Sequence, residues 1–176
     1  MIVTISGKAG SGKSTVAKQL AKKLKLKHYS IGDLMRQLAK ERKMSLTRLS
    51  KLAEKDKSID LELDKKTIAL REEDNFVIDG RLTAHFLPYA DLKVFLDCND
   101  KTRAERILKE KRHDEKSKNI KELIKKIKQR EKSERKRYNK IYGIDYQDKK
   151  LYDLMIDTTS LSIEEVLVVI EGAMED

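Results

Sequence analysis

The chain has 176 residues, a formal net charge of +10, and 39% hydrophobic against 40% charged residues. That length and apolar content support one compact core with at most a small appendage. No apolar run approaches the roughly 20 residues that cross a bilayer, the lone Cys98 excludes an intrachain disulfide, and the positive charge calls for polyanionic partners, mononucleotides or nucleic acid. No basic leader precedes the apolar start at Ile2, so no signal peptide is expected and the expected location is cytoplasmic.

Ile2-Val3-Thr4-Ile5 reads as a buried parallel strand. A glycine-rich turn follows, then a helix over Lys13–Leu24 with Val16, Ala17, Leu20 and Leu24 on one face. A short strand is expected near His28-Tyr29. The charged stretch 33–73 predicts helices over 33–43, 46–56 and 60–73, with Ser45 and Asp60 as caps. Phe76-Val77-Ile78 and Leu92-Lys93-Val94-Phe95-Leu96 are further buried strands, followed by Asp79 and Asp97. A helix is expected from about 100 to 111, and the almost wholly charged run 109–118 reads as a hinge or surface segment. Ile120, Leu123, Ile124 and Ile127 recur at helical spacing. Leu154-Met155-Ile156 is the last strand. Ser162 then caps a final helix that turns Ile163, Val166, Leu167, Ile170 and Met174 inward.

Strands alternating with helices predict an α/β fold of three layers, a central parallel five-stranded sheet flanked by helices. A single domain over 1–176 is expected. Its core covers about 1–30, 74–108 and 143–176, and two helical insertions cover about 31–73 and 109–142.

Gly7-Lys8-Ala9-Gly10-Ser11-Gly12-Lys13-Ser14 satisfies G-x-x-x-x-G-K-[ST] between a strand and a helix. Gly7, Gly10 and Gly12 let the backbone curl until several N–H groups, Ala9 and Ser11 among them, point at one phosphate, and the helix N-terminus adds partial positive charge. Lys13 can bridge β- and γ-phosphates, Ser14 can ligate Mg²⁺, and Thr15 can assist near the α-phosphate. ATP and Mg²⁺ are therefore the expected cofactors. An acid at the end of a central strand, Asp79, can hold Mg²⁺ through water. Gly80 permits close approach of a ligand, and Arg81 can grip a phosphate with two parallel hydrogen bonds.

Beyond Ile127 the inward helical stripe continues through Arg130, Glu134 and Arg137 to Ile141. Burying unpaired charge is costly, so this face should meet a charged ligand or pair internally. His28, His85 and His113 have no metal-ligand spacing, so zinc is not expected. Cys98, at a strand end, is expected to be a small buried hydrophobe.

The phosphate loop followed by His28-Tyr29-Ser30-Ile31-Gly32-Asp33-Leu34-Met35-Arg36 resembles the opening of nucleoside monophosphate kinases. That resemblance implies that Arg36 holds the acceptor phosphate and that Ser30 supplies a hydroxyl. Gly80-Arg81, the stretch Leu87-Pro88-Tyr89-Ala90-Asp91 before its strand, Arg103-Ala104-Glu105-Arg106 and the run 130–137 resemble cytidylate kinases in particular. Bacterial members carry Asp after that Gly-Arg for base recognition. This chain has Leu82, which resembles the archaeal branch. The resemblance implies transfer from ATP to CMP and dCMP by a monomer. Arg130 and Arg137 would act as lid arginines at the phosphates, and Glu134 would lie at the acceptor ribose. Two rivals stand beside it. An adenylate kinase would show Gly-Phe-Pro-Arg after position 79, and an RNA-associated ATPase would draw on the +10 charge. Neither membrane nor nucleic acid is the expected partner.

Overall fold

The computed structural model describes residues 1–110 and 119–175. Most of the charged run 109–118 thus lies outside the described residues. Five parallel strands stand in the order β2-β3-β1-β4-β5, namely β1 Ile2–Gly7, β2 Lys27–Ser30, β3 Phe76–Asp79, β4 Leu92–Asp97 and β5 Leu154–Asp157. All six residues of β1 and all four of β3 are buried, because helices cover both faces of the sheet. Alternate residues divide between two cores. Val3, Ile5, Val77, Val94 and Leu96 meet α1 (Lys13–Leu24) and the last helix, α8 (Ile163–Glu175). Ile2, Phe76 and Ile78 face the other side, where Phe95 joins Phe86 of the one-turn helix α5 (Thr83–Phe86).

Three helices between β2 and β3 build a core of their own: α2 (Ile31–Glu41), α3 (Leu46–Ala53) and α4 (Ser58–Ala69), packed around Leu38, Leu49, Ile59 and Leu63. Helices α6 (Asp100–Lys109) and α7 (Ile120–Tyr142) pack Ile107, Leu123 and Ile127 against Ala9 of the phosphate loop, so the apolar half of the α7 stripe is buried as its spacing requires.

Several boundaries differ from expectation. Helix α2 starts two residues early because Ser30 accepts a hydrogen bond from the Asp33 amide at 3.3 Å. Ser45 caps α3 by accepting from the Arg48 amide, and Ser162 and Glu165 close a reciprocal capping box. Asp60 is not a cap. It lies inside α4, on a buried stripe with Ile59, Leu63, Asp64 and Thr67. Two acids on that stripe disguise its inward periodicity, and the helix extends N-terminally to Ser58, whose amide donates to Asp56. Cys98 is buried.

Leu20 is fully buried between α1 and the sheet. Leu20→Ala should cost about 2–5 kcal/mol, read as a lowered denaturation midpoint in urea. An unchanged midpoint would contradict the packing of α1.

Candidate active site

The register of the sheet lines up the chemistry. Ile5 and Ser30 both pair with Asp79 across β3, and Gly7 pairs with Leu96. The carboxyl ends of β1, β2, β3 and β4 therefore form one rim, beside which the phosphate loop curls. Gly7, Gly10 and Gly12 have φ of +144°, +77° and +92°. A Cβ on Gly7 would sit 2.2 Å from the Leu96 carbonyl oxygen, and one on Gly10 2.7 Å from that of Arg103, so only glycine fits against either backbone.

The loop's carbonyls are turned outward and held. Arg103, 1% exposed, donates from Nε to the Ala9 carbonyl at 2.7 Å, and its other nitrogens pair with Asp100 at 2.9 Å and Glu131 of α7 at 2.8 Å. Arg106 donates to the Thr158 carbonyl and hydroxyl, and that hydroxyl donates to the Ser11 carbonyl at 3.0 Å. With these oxygens occupied, the loop's N–H groups face the cleft. Lys8 pairs with Asp97 at 2.9 Å, while its carbonyl accepts from Ser11 Oγ and from Lys13 Nζ, the latter at 2.8 Å. Thr15 is exposed at the cleft.

Asp79, 1% exposed, accepts from Ser14 Oγ at 2.8 Å and Ser30 Oγ at 3.1 Å, and contacts His28 Nε2 at 2.8 Å. Ser14 and Asp79 together offer the hard oxygen donors that suit Mg²⁺. The cleft they open onto is bounded across from the loop by Arg36, Gly80, Arg81 and Arg130. Arg36 leans on Asp33, one turn before it, at 2.6 Å. Ser14, Asp79, Arg36, Arg81 and Arg130, scattered over 117 positions in the chain, thus share one cleft.

The charged half of the α7 stripe pairs internally. Glu134 takes Arg81 Nε on one carboxylate oxygen and Arg130 Nε, at 3.0 Å, on the other. Burial opposes charge on Glu134, but Arg81, Arg130 and Arg137 outweigh it and hold its carboxyl down to about 2. Arg137 does not line the phosphate cleft. It occupies a deeper chamber, with Nε 2.5 Å from Asp60 Oδ2 and its guanidinium 5.2 Å from the Tyr138 ring centre. Arg135, on the opposite face, is exposed and pairs with Asp145. Sequence reasoning missed the acids of the deeper chamber, Asp60 and Asp64. Their signal was a helical stripe in which acids alternate with apolar residues. Among the described residues no His/Cys/Asp/Glu cluster could hold a metal alone, and no helix is long and apolar enough to cross a membrane.

Asp64 carries a testable sign. Burial, with the Asp60 charge adding and Arg137 offsetting part of it, pushes its carboxyl from 3.8 up to about 7. A carboxyl raised by folding favours the folded state fully below its unfolded value, and that advantage is lost as pH rises through 7. Asp64→Asn should therefore raise the melting temperature at pH 8 by more than the roughly 2–4 °C that 1 kcal/mol moves a chain of this size, and by much less near pH 4. Equal shifts at both pH values in a thermal scan would contradict the burial of its charge.

Known proteins resemble this chain in sequence and in fold. Residues 2–160 match the cytidylate kinase-like family. A cytidylate kinase of Pyrococcus abyssi is 41% identical over 99% of this chain and 94% of its own length, and one of Methanocaldococcus jannaschii is 39% identical over 100% and 98%. Among solved structures, an uncharacterized protein from Eubacterium ventriosum superposes with a TM-score of 0.73 at 20% identity over 100% of this chain and 99% of its own. A shikimate kinase from Bacteroides thetaiotaomicron does so with 0.70 at 16%, over the same shares. These last two speak for the fold alone. The family match and the full-length identity to archaeal relatives go further: the chain belongs to the cytidylate kinase-like family.

Proposed function

We propose that this protein phosphorylates CMP, and dCMP as a second substrate, using ATP, with ADP and CDP or dCDP as products. The observation that carries the reading is the cleft in which the phosphate loop faces Arg36, Arg81 and Arg130, in a chain related end to end to cytidylate kinases.

ATP lies with its phosphates on the N–H groups of Gly7–Thr15 and the N-terminus of α1. Lys13, now resting on the Lys8 carbonyl, swings onto the β- and γ-phosphates. Ser14 and Asp79 would hold Mg²⁺, which would offset charge on the nucleotide phosphates. Arg36 and Arg81 take the acceptor phosphate opposite, near Gly80 and Ser30. Binding that phosphate draws Arg81 from Glu134 and leaves Glu134 free to meet the acceptor ribose. Arg130 joins Lys13 around the phosphoryl group in flight. Arg137 reaches the phosphates only if lid closure breaks its pair with Asp60; in the present geometry it braces the deeper chamber. No protein nucleophile is required, since positioning and charge stabilisation dominate such transfers. Closure excludes water and limits idle ATP hydrolysis. A monomer with Cys98 unpaired, working in a reducing compartment, fits this reading.

The test is ADP release with ATP and Mg²⁺ against CMP, dCMP, UMP, AMP and GMP, each beside a no-acceptor control. Selective turnover of CMP and dCMP is expected. Preference for AMP would overturn the acceptor, and activity with none would overturn the reaction. Lys13→Ala should keep the fold and lower kcat by about 10²-fold or more. Arg81→Ala should raise KM for CMP by about tenfold, the worth of one charge-assisted contact, while KM for ATP stays put. An equal rise in both would remove Arg81 from the acceptor side.

A further inference from the structure

Behind the phosphate cleft, and sharing Gly32, Gly80, Arg81 and Arg130 with it, lies a second cavity of about 70 Å³. That is room for on the order of five waters, the scale of one pyrimidine ring. Met35 and Phe86 supply apolar walls on which a ring can lie. A monophosphate gripped by Arg36 and Arg81 would have this chamber beside it for its base, because Gly32, Gly80, Arg81 and Arg130 line both cavities.

The polar groups of the chamber are unevenly satisfied. Glu134 takes Arg81 and Arg130. Asp60 takes Arg137. Asp64, one turn further along α4 and 8% exposed, lines the same chamber, yet its Oδ2 has no hydrogen-bond partner among the described residues. A buried carboxylate oxygen without a donor is costly, and here the cost is placed where a ligand arrives.

Resting on the proposed function, we infer that Asp64 is the base-reading residue, whose carboxylate accepts a hydrogen bond from the exocyclic 4-amino group of the acceptor's cytosine. A carboxylate accepts from cytosine N4 and meets the O4 of uracil as one acceptor facing another. The same chemistry is met here from a different element: the position after Gly80-Arg81 is Leu82, which cannot read a base edge by hydrogen bonding. Arg137, fixed by Asp60, stands as a donor in the same chamber and completes a surface that can meet both an amino group and a ring acceptor. A base that brings a donor relieves the unfavourable environment of the charged Asp64 carboxylate, which turns a stability penalty into discrimination.

The experiment compares wild type and Asp64→Asn in steady-state transfer to CMP and UMP, with melting curves as the fold control. An amide can donate to O4 as readily as it accepts from N4. The ratio of kcat/KM for CMP over UMP should therefore fall by about tenfold or more in the variant, within the discrimination one base contact supplies, while KM for ATP is unmoved. An unchanged ratio in a folded variant overturns the assignment. Should the variant not fold, wild type is offered 2-pyrimidinone riboside monophosphate, which lacks the 4-amino group. A loss of about tenfold against CMP supports Asp64 as an acceptor for that group, and equal use overturns it. If wild type itself transfers to no pyrimidine monophosphate, the proposed function fails along with this inference. If wild type prefers CMP and Asp64→Asn keeps that preference, the assignment of Asp64 fails alone.

Discussion

Arg103 passes beneath the phosphate loop with almost no exposure, one nitrogen on the Ala9 carbonyl and the others on Asp100 and Glu131. A buried guanidinium is tolerable only when every face of it is occupied, so this single side chain fixes three things at once: the outward turn of the loop's carbonyl, the start of α6, and the near half of α7. Gly10 lies so close to the Arg103 backbone that no side chain fits between them. The geometry of phosphate binding therefore depends on a contact between elements 94 positions apart, and the glycines are needed for that contact as much as for their own φ values.

The second constraint is electrostatic. Three arginines and three acids converge between the core, the helical insertion and α7: Arg81, Arg130 and Arg137 with Glu134, Asp60 and Asp64. Five of these six groups pair directly, which lets the charged half of α7 be buried. Glu134 gives Arg81 one carboxylate oxygen and keeps the other on Arg130, whereas a phosphate can offer Arg81 two. On the proposed function, a phosphate that takes Arg81 replaces one anion with another beside α7, whose apolar half is held separately by Ile107, Leu123 and Ile127.

The helical insertion behaves as a wall with a core of its own. Leu38, Leu49, Ile59 and Leu63 bury one another, and α4 turns Asp60, Asp64 and Thr67 towards the chamber as part of its buried stripe. With Asp64 as the proposed base reader, stability and recognition draw on the same helix, with apolar and acidic residues interleaved at helical spacing. A helix patterned this way is less stable than an apolar one, and the difference is confined to the surface that a base would meet.

By itself the sequence determined the parallel strands, the phosphate loop and the acid at Asp79, because each is announced by local patterning: β-branched runs, glycines at set intervals, an acid at a strand end. Arg36 was singled out by family resemblance, and the structure brings it into one cleft with Arg81 and Arg130. The apolar stripe of α7 and the caps at Ser45 and Ser162 were legible for the same reason. Only the tertiary structure decided that Arg137 sits with Asp60 rather than at the phosphates, that Asp60 is a buried partner and not a cap, and that Asp64 Oδ2 has no hydrogen-bond partner among the described residues. Those facts depend on which charge meets which across helices far apart in the chain. Pairing between distant side chains leaves no periodicity in the sequence, whereas the backbone geometry of a strand, a loop or a cap does.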